Sequence, residues 1–274
     1  MKLLFHPTTQ LLLDTLRLKL PQAILLNGPK GSGLFSAAHY LAQERPLLIL
    51  QPKNARGETD EKTGTITIES IRDLYEQTRT KSRTKRIVII DGAERMSHGA
   101  QSAFLKLLEE PNNTTHFILT SHLPDTLLPT IRSRTQALQI LPLTTEQSKM
   151  LIQQFDIRND TKETQLLFLA NGLPAELTRL THDEAYFKQQ ATIVTDAREF
   201  ITSDTYHKLL LIQKYRTNRE EALNFIDSIM TILRFTLNSK PQHKLIDQLD
   251  KLLIARERIA ANGSIPLQFA QAVL

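Results

Sequence analysis

Residues 28–35, GPKGSGLF, have the glycine spacing of a loop that wraps phosphates. In the pattern G-x-x-x-x-G-K-[ST], backbone N–H groups cradle the phosphate oxygens. The Lys reaches the β- and γ-phosphates, and the Ser or Thr hydroxyl holds Mg²⁺. Gly28, Gly31 and Gly33 are present, but Leu34 stands at the Lys position and Phe35 at the hydroxyl position. Lys30 lies on the other limb and would have to fold across the cradle, so no replacement cation is expected. The glycines have a second reading, because a tight strand-to-helix turn needs residues that tolerate positive φ.

A second candidate is Asp91, which ends the apolar run at 87–90. A carboxylate at the C-terminal end of a buried strand would face Mg²⁺ beside such a loop. A hydrolytic site usually has Glu next, to polarise the attacking water, and here the residue is Gly92. Taken singly, Asp91 reads as a strand-end turn or cap; after a P-loop-like turn it reads as part of a relict nucleotide site. With three groups missing, neither ATP binding nor turnover is expected, and no cofactor. Glu109 and Glu110 precede Pro111 in the last turn of a helical pattern. The macrodipole disfavours anions there by about 0.3–1 kcal/mol each, which points either to basic neighbours or to a solvated helix end. Arg132 and Arg134 flank Ser133 in TIRSRTQ. They read as surface salt-bridge formers or as an arginine finger, a fixed charge that stabilises phosphoryl transfer in a neighbouring subunit.

These groups need a scaffold. Short apolar runs at 23–26, 47–50, 87–90 and 117–119, with a weaker one at 137–140, suit strands buried on both faces. Helical patterns lie between them, as in Ala100, Ala103, Phe104, Leu107 and Leu108 at i, i+3, i+4, i+7, i+8. The alternation implies βαβ units and an α/β fold with a parallel five-stranded sheet. After Leu141 and Pro142 the strand signals stop, giving three parts: α/β over 1–141, small helical over 142–190, larger helical over 191–274. The chain of 274 residues has no cysteine, which excludes disulfides and thiolate-held zinc, and its eight histidines show no ligand spacing, so no metal is expected. No run approaches the ~18 apolar residues of a membrane span, and a cytoplasmic protein is expected. The net charge of +5 suits either nearby nucleic acid or an ordinary solvated surface. The basic run at 79–86 has the same two readings, DNA approach or solvated connection.

The stretches HPTTQLLL, GPKGSG, VIIDGAERM, AFLKLLEEP and LLPTIRSRTQ together resemble the clamp-loader family of bacterial DNA polymerase III, most closely its delta-prime members. The resemblance covers most of 1–190, is densest over 86–136, and is fainter in the C-terminal helices. It implies an AAA+ P-loop module with helices on both faces of the sheet, a helical lid and an all-α collar. It implies partners: gamma/tau and delta subunits, the sliding clamp, and primed DNA through the complex. Ser133-Arg134-Thr135 matches the family's Ser-Arg-Cys motif, with Thr for Cys, which makes Arg134 the finger offered in trans. The relict site would be Gly28, Gly31, Gly33 and Asp91, and the lid's sensor arginine is replaced by Ala175. The family's zinc module is replaced by a short polar segment at 51–65. Collar helices would pack on neighbouring collars through Leu209, Leu210, Ile226, Ile229, Leu233, Leu252 and Leu253. The implied function is a non-hydrolysing subunit of a DNA polymerase holoenzyme. An active gamma/tau-type ATPase and a stand-alone basic DNA-binding scaffold are the alternatives.

Overall fold

The computed structural model describes residues 3–43, 46–60, 63–78, 85–109, 114–157, 159–239 and 243–273. The chain divides into two compact units, Met1–Thr181 and His182–Leu274.

In the first unit, β1 (Ala23–Asn27), β2 (Leu48–Leu50), β3 (Arg86–Ile90), β4 (Thr115–Ser121) and β5 (Gln136–Gln139) form one sheet. Its order is β2-β3-β4-β1-β5, and each neighbouring pair is parallel. The strands are short and apolar because successive side chains enter two different buried layers. Ile24, Leu26, Ile89 and Ile118 pack with Leu13 and Leu16 of α1 (Pro7–Leu18) and with Ala37 and Leu41 of α2 (Leu34–Leu41). Leu25, Val88, Ile90, Phe117 and Leu119 pack on the other side. Their partners are Ile71 and Leu74 of α3 (Ile68–Thr78), Phe104 of α4 (His98–Glu109) and Ile131 of α5 (Pro129–Arg134). The result is an α/β sheet with helices on both faces, as the alternating pattern implies.

The described parts of the polar segment, 51–60 and 63–65, are tied down locally. Asn54 Oδ1 accepts from the N–H groups of Arg56 (2.9 Å) and Glu58 (3.1 Å), and Lys53 forms antiparallel bridges with Thr59 and Thr65. Three further helices complete the unit: α6 (Thr145–Gln153), α7 (Asp160–Ala170) and α8 (Pro174–His182). Thr144 and Gln147 start α6 with a reciprocal capping box, which satisfies two of the N–H groups a helix start leaves open.

The second unit contains α9 (Glu184–Thr202), α10 (Thr205–Lys214), α11 (Arg219–Ser239), α12 (His243–Ala260) and α13 (Ile265–Val273). Asp183 caps α9 through the Tyr186 N–H, and the helix runs unbroken through position 190, where the sequence reading puts a boundary. Phe200, Phe225, Phe269, Ile226, Ile229, Leu233 and Leu252 form the unit's core. Four of the seven residues expected to pack on neighbouring collars, Ile226, Ile229, Leu233 and Leu252, are therefore used internally. Leu209, Leu210 and Leu253 remain exposed. Helical periodicity reveals a buried face, not what covers it. Asp196, buried in this unit, accepts the Tyr215 hydroxyl and pairs with Lys214 at 2.5 Å. Burial, then the Asp196 carboxylate, pushes the Tyr215 phenol above its ordinary range. No helix among the described residues is long and apolar enough to cross a membrane.

Candidate functional site

The glycine loop leaves β1 at the carboxyl edge of the sheet, where open parallel sheets bind ligands. Gly31 (φ +87°) and Gly33 (φ +88°) are left-handed, a conformation that costs a side-chain-bearing residue about 1–2 kcal/mol. That need explains why the glycines are present. The space between the limbs holds side chains. A Cβ on Gly28 would lie 2.9 Å from Ser32 Oγ and 3.4 Å from Leu34 Cδ2. Leu34 is only 4% exposed and packs with Leu26, Leu41 and Ile140. The residue at the Lys position is thus turned into the apolar layer and offers the loop no cation. Phe35 is partly exposed and meets His39 edge-on at 4.5 Å.

The start of α8 covers the same loop. The Ala175 N–H donates to the Gly31 carbonyl at 3.1 Å, and Pro174 Cγ lies 3.7 Å from where a Gly33 Cβ would be. Position 175, where an arginine is absent, therefore contributes a backbone latch. His122, which the sequence reading passes over, donates through Nδ1 to the Gly28 carbonyl at 3.0 Å, and its own N–H reaches Glu94 Oε1 at 3.3 Å. Its distance along the chain from Gly28 gave no local signal.

Asp91 sits at the end of β3, beside the loop's edge of the sheet, with both oxygens engaged. Oδ1 accepts from Thr120 Oγ1 at 2.7 Å and Oδ2 from Gln51 Nε2 at 3.1 Å. The next residue, Gly92, has φ +67°, and a Cβ there would meet Pro52 Cγ at 3.2 Å. A glutamate at 92 would carry backbone strain and displace the Pro52 ring. Nucleotide phosphates with Mg²⁺ need a cation, a hydroxyl and an available carboxylate. This set supplies an alkyl chain, a phenyl ring and a carboxylate bonded to its own sheet, so the residues do not fit that ligand.

The arginines lie elsewhere on the unit. α5 is held by Ile131, fully buried, and by Gln101 of α4. Gln101 Oε1 accepts the Leu128 N–H at 2.8 Å while its Nε2 donates to the Met96 carbonyl at 3.3 Å. Arg134 is the last residue of α5, where a cation suits the helix dipole. Its side chain is 40% exposed; Nη2 pairs with Glu109 Oε1 at 3.0 Å, and Nη1 donates to the Thr130 carbonyl at 3.3 Å. Arg132 pairs instead with Asp125. Ser133 donates its hydroxyl to the Thr130 carbonyl at 3.1 Å, and Thr135 does the same to Ile131 at 3.1 Å. Both hydroxyls close the helix rather than face outward chemistry. Glu109 has a basic neighbour, one of the two readings open from sequence. Glu110 and Pro111 lie outside the described residues, as do 79–84 of the basic run. Arg86 opens β3 and donates to the Gln77 carbonyl at 3.2 Å. Among the described residues, no group of three or more His, Asp or Glu side chains is placed to hold a metal.

Comparison with known proteins shows what the chain is similar to. A family model described as DNA polymerase III, delta subunit, matches residues 47–144, from β2 through β5. The DNA polymerase III subunit delta' of Pseudomonas aeruginosa is 26% identical over 289 aligned positions, covering 89% of this chain and 87% of that protein. The corresponding Bacillus subtilis protein is 29% identical, covering 62% of this chain and 52% of the relative. Among solved structures, a DNA polymerase III gamma-subunit-related protein of Thermotoga maritima aligns over 97% of both chains, with TM-score 0.51 and 17% identity. A RuvB variant from the same organism aligns over 84% of this chain and 78% of its own, with TM-score 0.51 and 16% identity. At such identities the structural likeness speaks for the fold alone. Sequence similarity and sheet order point the same way: over most of its length the chain is similar to DNA polymerase III delta-prime subunits.

Proposed function

We propose that this chain is a non-hydrolysing subunit of a replicative clamp loader that supplies Arg134 in trans to the ATP site of a neighbouring motor subunit. The observation that carries the reading is one contrast. At the chain's own glycine loop Leu34 is buried in the core and the start of α8 bonds to Gly31, while Arg134 is partly exposed at the end of a helix seated by Ile131 and Gln101. A guanidinium is always charged and can grip phosphate oxygens through two parallel N–H bonds. Its partners in this reading are the gamma/tau and delta subunits, the sliding clamp and, through the complex, primed DNA. Residues 1–141 form the AAA+ module, α6–α8 the lid, and α9–α13 the collar. Gly28, Gly31, Gly33 and Asp91 are the relict of a nucleotide site, now structural.

The test is reconstitution of the complex with variant full-length chains, read as ATP hydrolysis stimulated by clamp and primed DNA. Arg134→Ala should assemble normally and slow hydrolysis. Fingers contribute roughly 10³–10⁵ in rate at the site they serve; the whole complex loses less, several-fold, because other sites keep their own. Arg132→Ala should leave hydrolysis near wild type, because its partner is Asp125 on the chain itself. Unchanged hydrolysis with Arg134→Ala contradicts the reading.

A further inference from the structure

We infer that Glu109 is a latch on Arg134, a positioning residue that parks the guanidinium on its own chain until a neighbouring subunit's phosphate displaces it; this rests on the trans role proposed for Arg134. Both residues are helix termini, Glu109 the last residue of α4 and Arg134 the last of α5. The helix ends meet because Gln101 and Ile131 fix α5 against α4. The contact is electrostatically matched. A carboxylate at a helix C-terminus is disfavoured by the dipole, and the Arg134 charge offsets that. Both terminal nitrogens of the guanidinium already hold a partner on this chain, Nη2 Glu109 at 3.0 Å and Nη1 the Thr130 carbonyl at 3.3 Å.

The pair is weak enough to exchange. Glu109 is 51% and Arg134 40% exposed, and exposed ion pairs are screened and easily broken. A phosphate brings more charge than a carboxylate and can accept both parallel N–H bonds. Docking therefore swaps one anion for a better one, and the carboxylate competes at every turnover. Arg132, held by Asp125, stays out of the exchange. The latch also keeps an exposed guanidinium from other anions before assembly.

The experiment measures the stimulated ATP hydrolysis of reconstituted complexes carrying Glu109→Gln, Arg134→Ala or both, at low and high ionic strength. Glu109→Gln should raise kcat about two- to five-fold at low salt, the range an exposed pair allows, with KM for ATP unchanged. The gain should shrink as salt screens the wild-type pair. In the Arg134→Ala background Glu109→Gln should change nothing. Three outcomes overturn the latch. If Arg134→Ala slows hydrolysis but Glu109→Gln leaves it unchanged or slows it, the latch falls and the finger stands. If Glu109→Gln accelerates equally with and without Arg134, Glu109 acts elsewhere. If Arg134→Ala has no effect, finger and latch fall together.

Discussion

The glycine loop and the end of α5 belong to the same α/β unit and treat their functional groups in opposite ways. At the loop, the residue at the Lys position and the strand-end carboxylate are both turned inward. Leu34 joins the apolar layer under α2, Asp91 bonds to Thr120 and Gln51, and Gly31 accepts a backbone bond from α8. At α5, one apolar side chain, Ile131, is buried and the charge is left outside. Ile131 and Gln101 secure the helix, while Arg134 keeps a surface partner that can be exchanged. The comparison teaches that losing a chemistry is not a matter of deleted side chains alone. In the proposed reading, Leu34 and Asp91 serve the fold rather than a ligand, so restoring a single residue should restore no site.

That lesson can be broken at either region. The largest expected effect on stability is Leu34→Lys, the residue a nucleotide site would want. It removes a buried alkyl chain worth about 1.5–3 kcal/mol and asks an ammonium to leave an apolar layer. We expect the full chain to lose roughly 2–4 kcal/mol in chemical denaturation without gaining nucleotide affinity. Undiminished stability together with new ATP binding would show that the cradle is still open. A smaller effect is expected at the other region. Gln101→Leu keeps the volume but takes the partner from the part-buried Leu128 N–H, at about 1 kcal/mol. It should also slow the complex's hydrolysis by loosening the seat of α5. If stability falls while hydrolysis is unchanged, the precise placement of Arg134 matters less than its presence.

Much of the fold was readable in the amino-acid sequence for physical reasons. Strands buried on both faces must be short apolar runs, and the five runs fall on β1–β5. The missing Lys and hydroxyl were readable because residue type alone decides them. What covers the loop was not, because the Ala175–Gly31 and His122–Gly28 bonds join residues far apart in the chain and both end on backbone carbonyls that every residue has. The Glu109–Arg134 pair was half visible as carboxylates at an unfavourable helix end, with no indication of which cation answers them. Gln101 gave no signal, as a polar residue between apolar positions of α4 reads as solvent-facing and is in fact 6% exposed. The start of α9 did carry a signal, Asp183 as an N-cap, and it places the division of the chain earlier than the change in composition suggests.

The central claim, that this chain's own loop has been closed and only its arginine is offered outward, is tested most directly by titrating the isolated full-length protein with Mg²⁺-ATP in a calorimeter. The account predicts no binding heat, with or without Mg²⁺, because Leu34, Phe35 and an engaged Asp91 present nothing to phosphate or metal. Micromolar, Mg²⁺-dependent binding would contradict it.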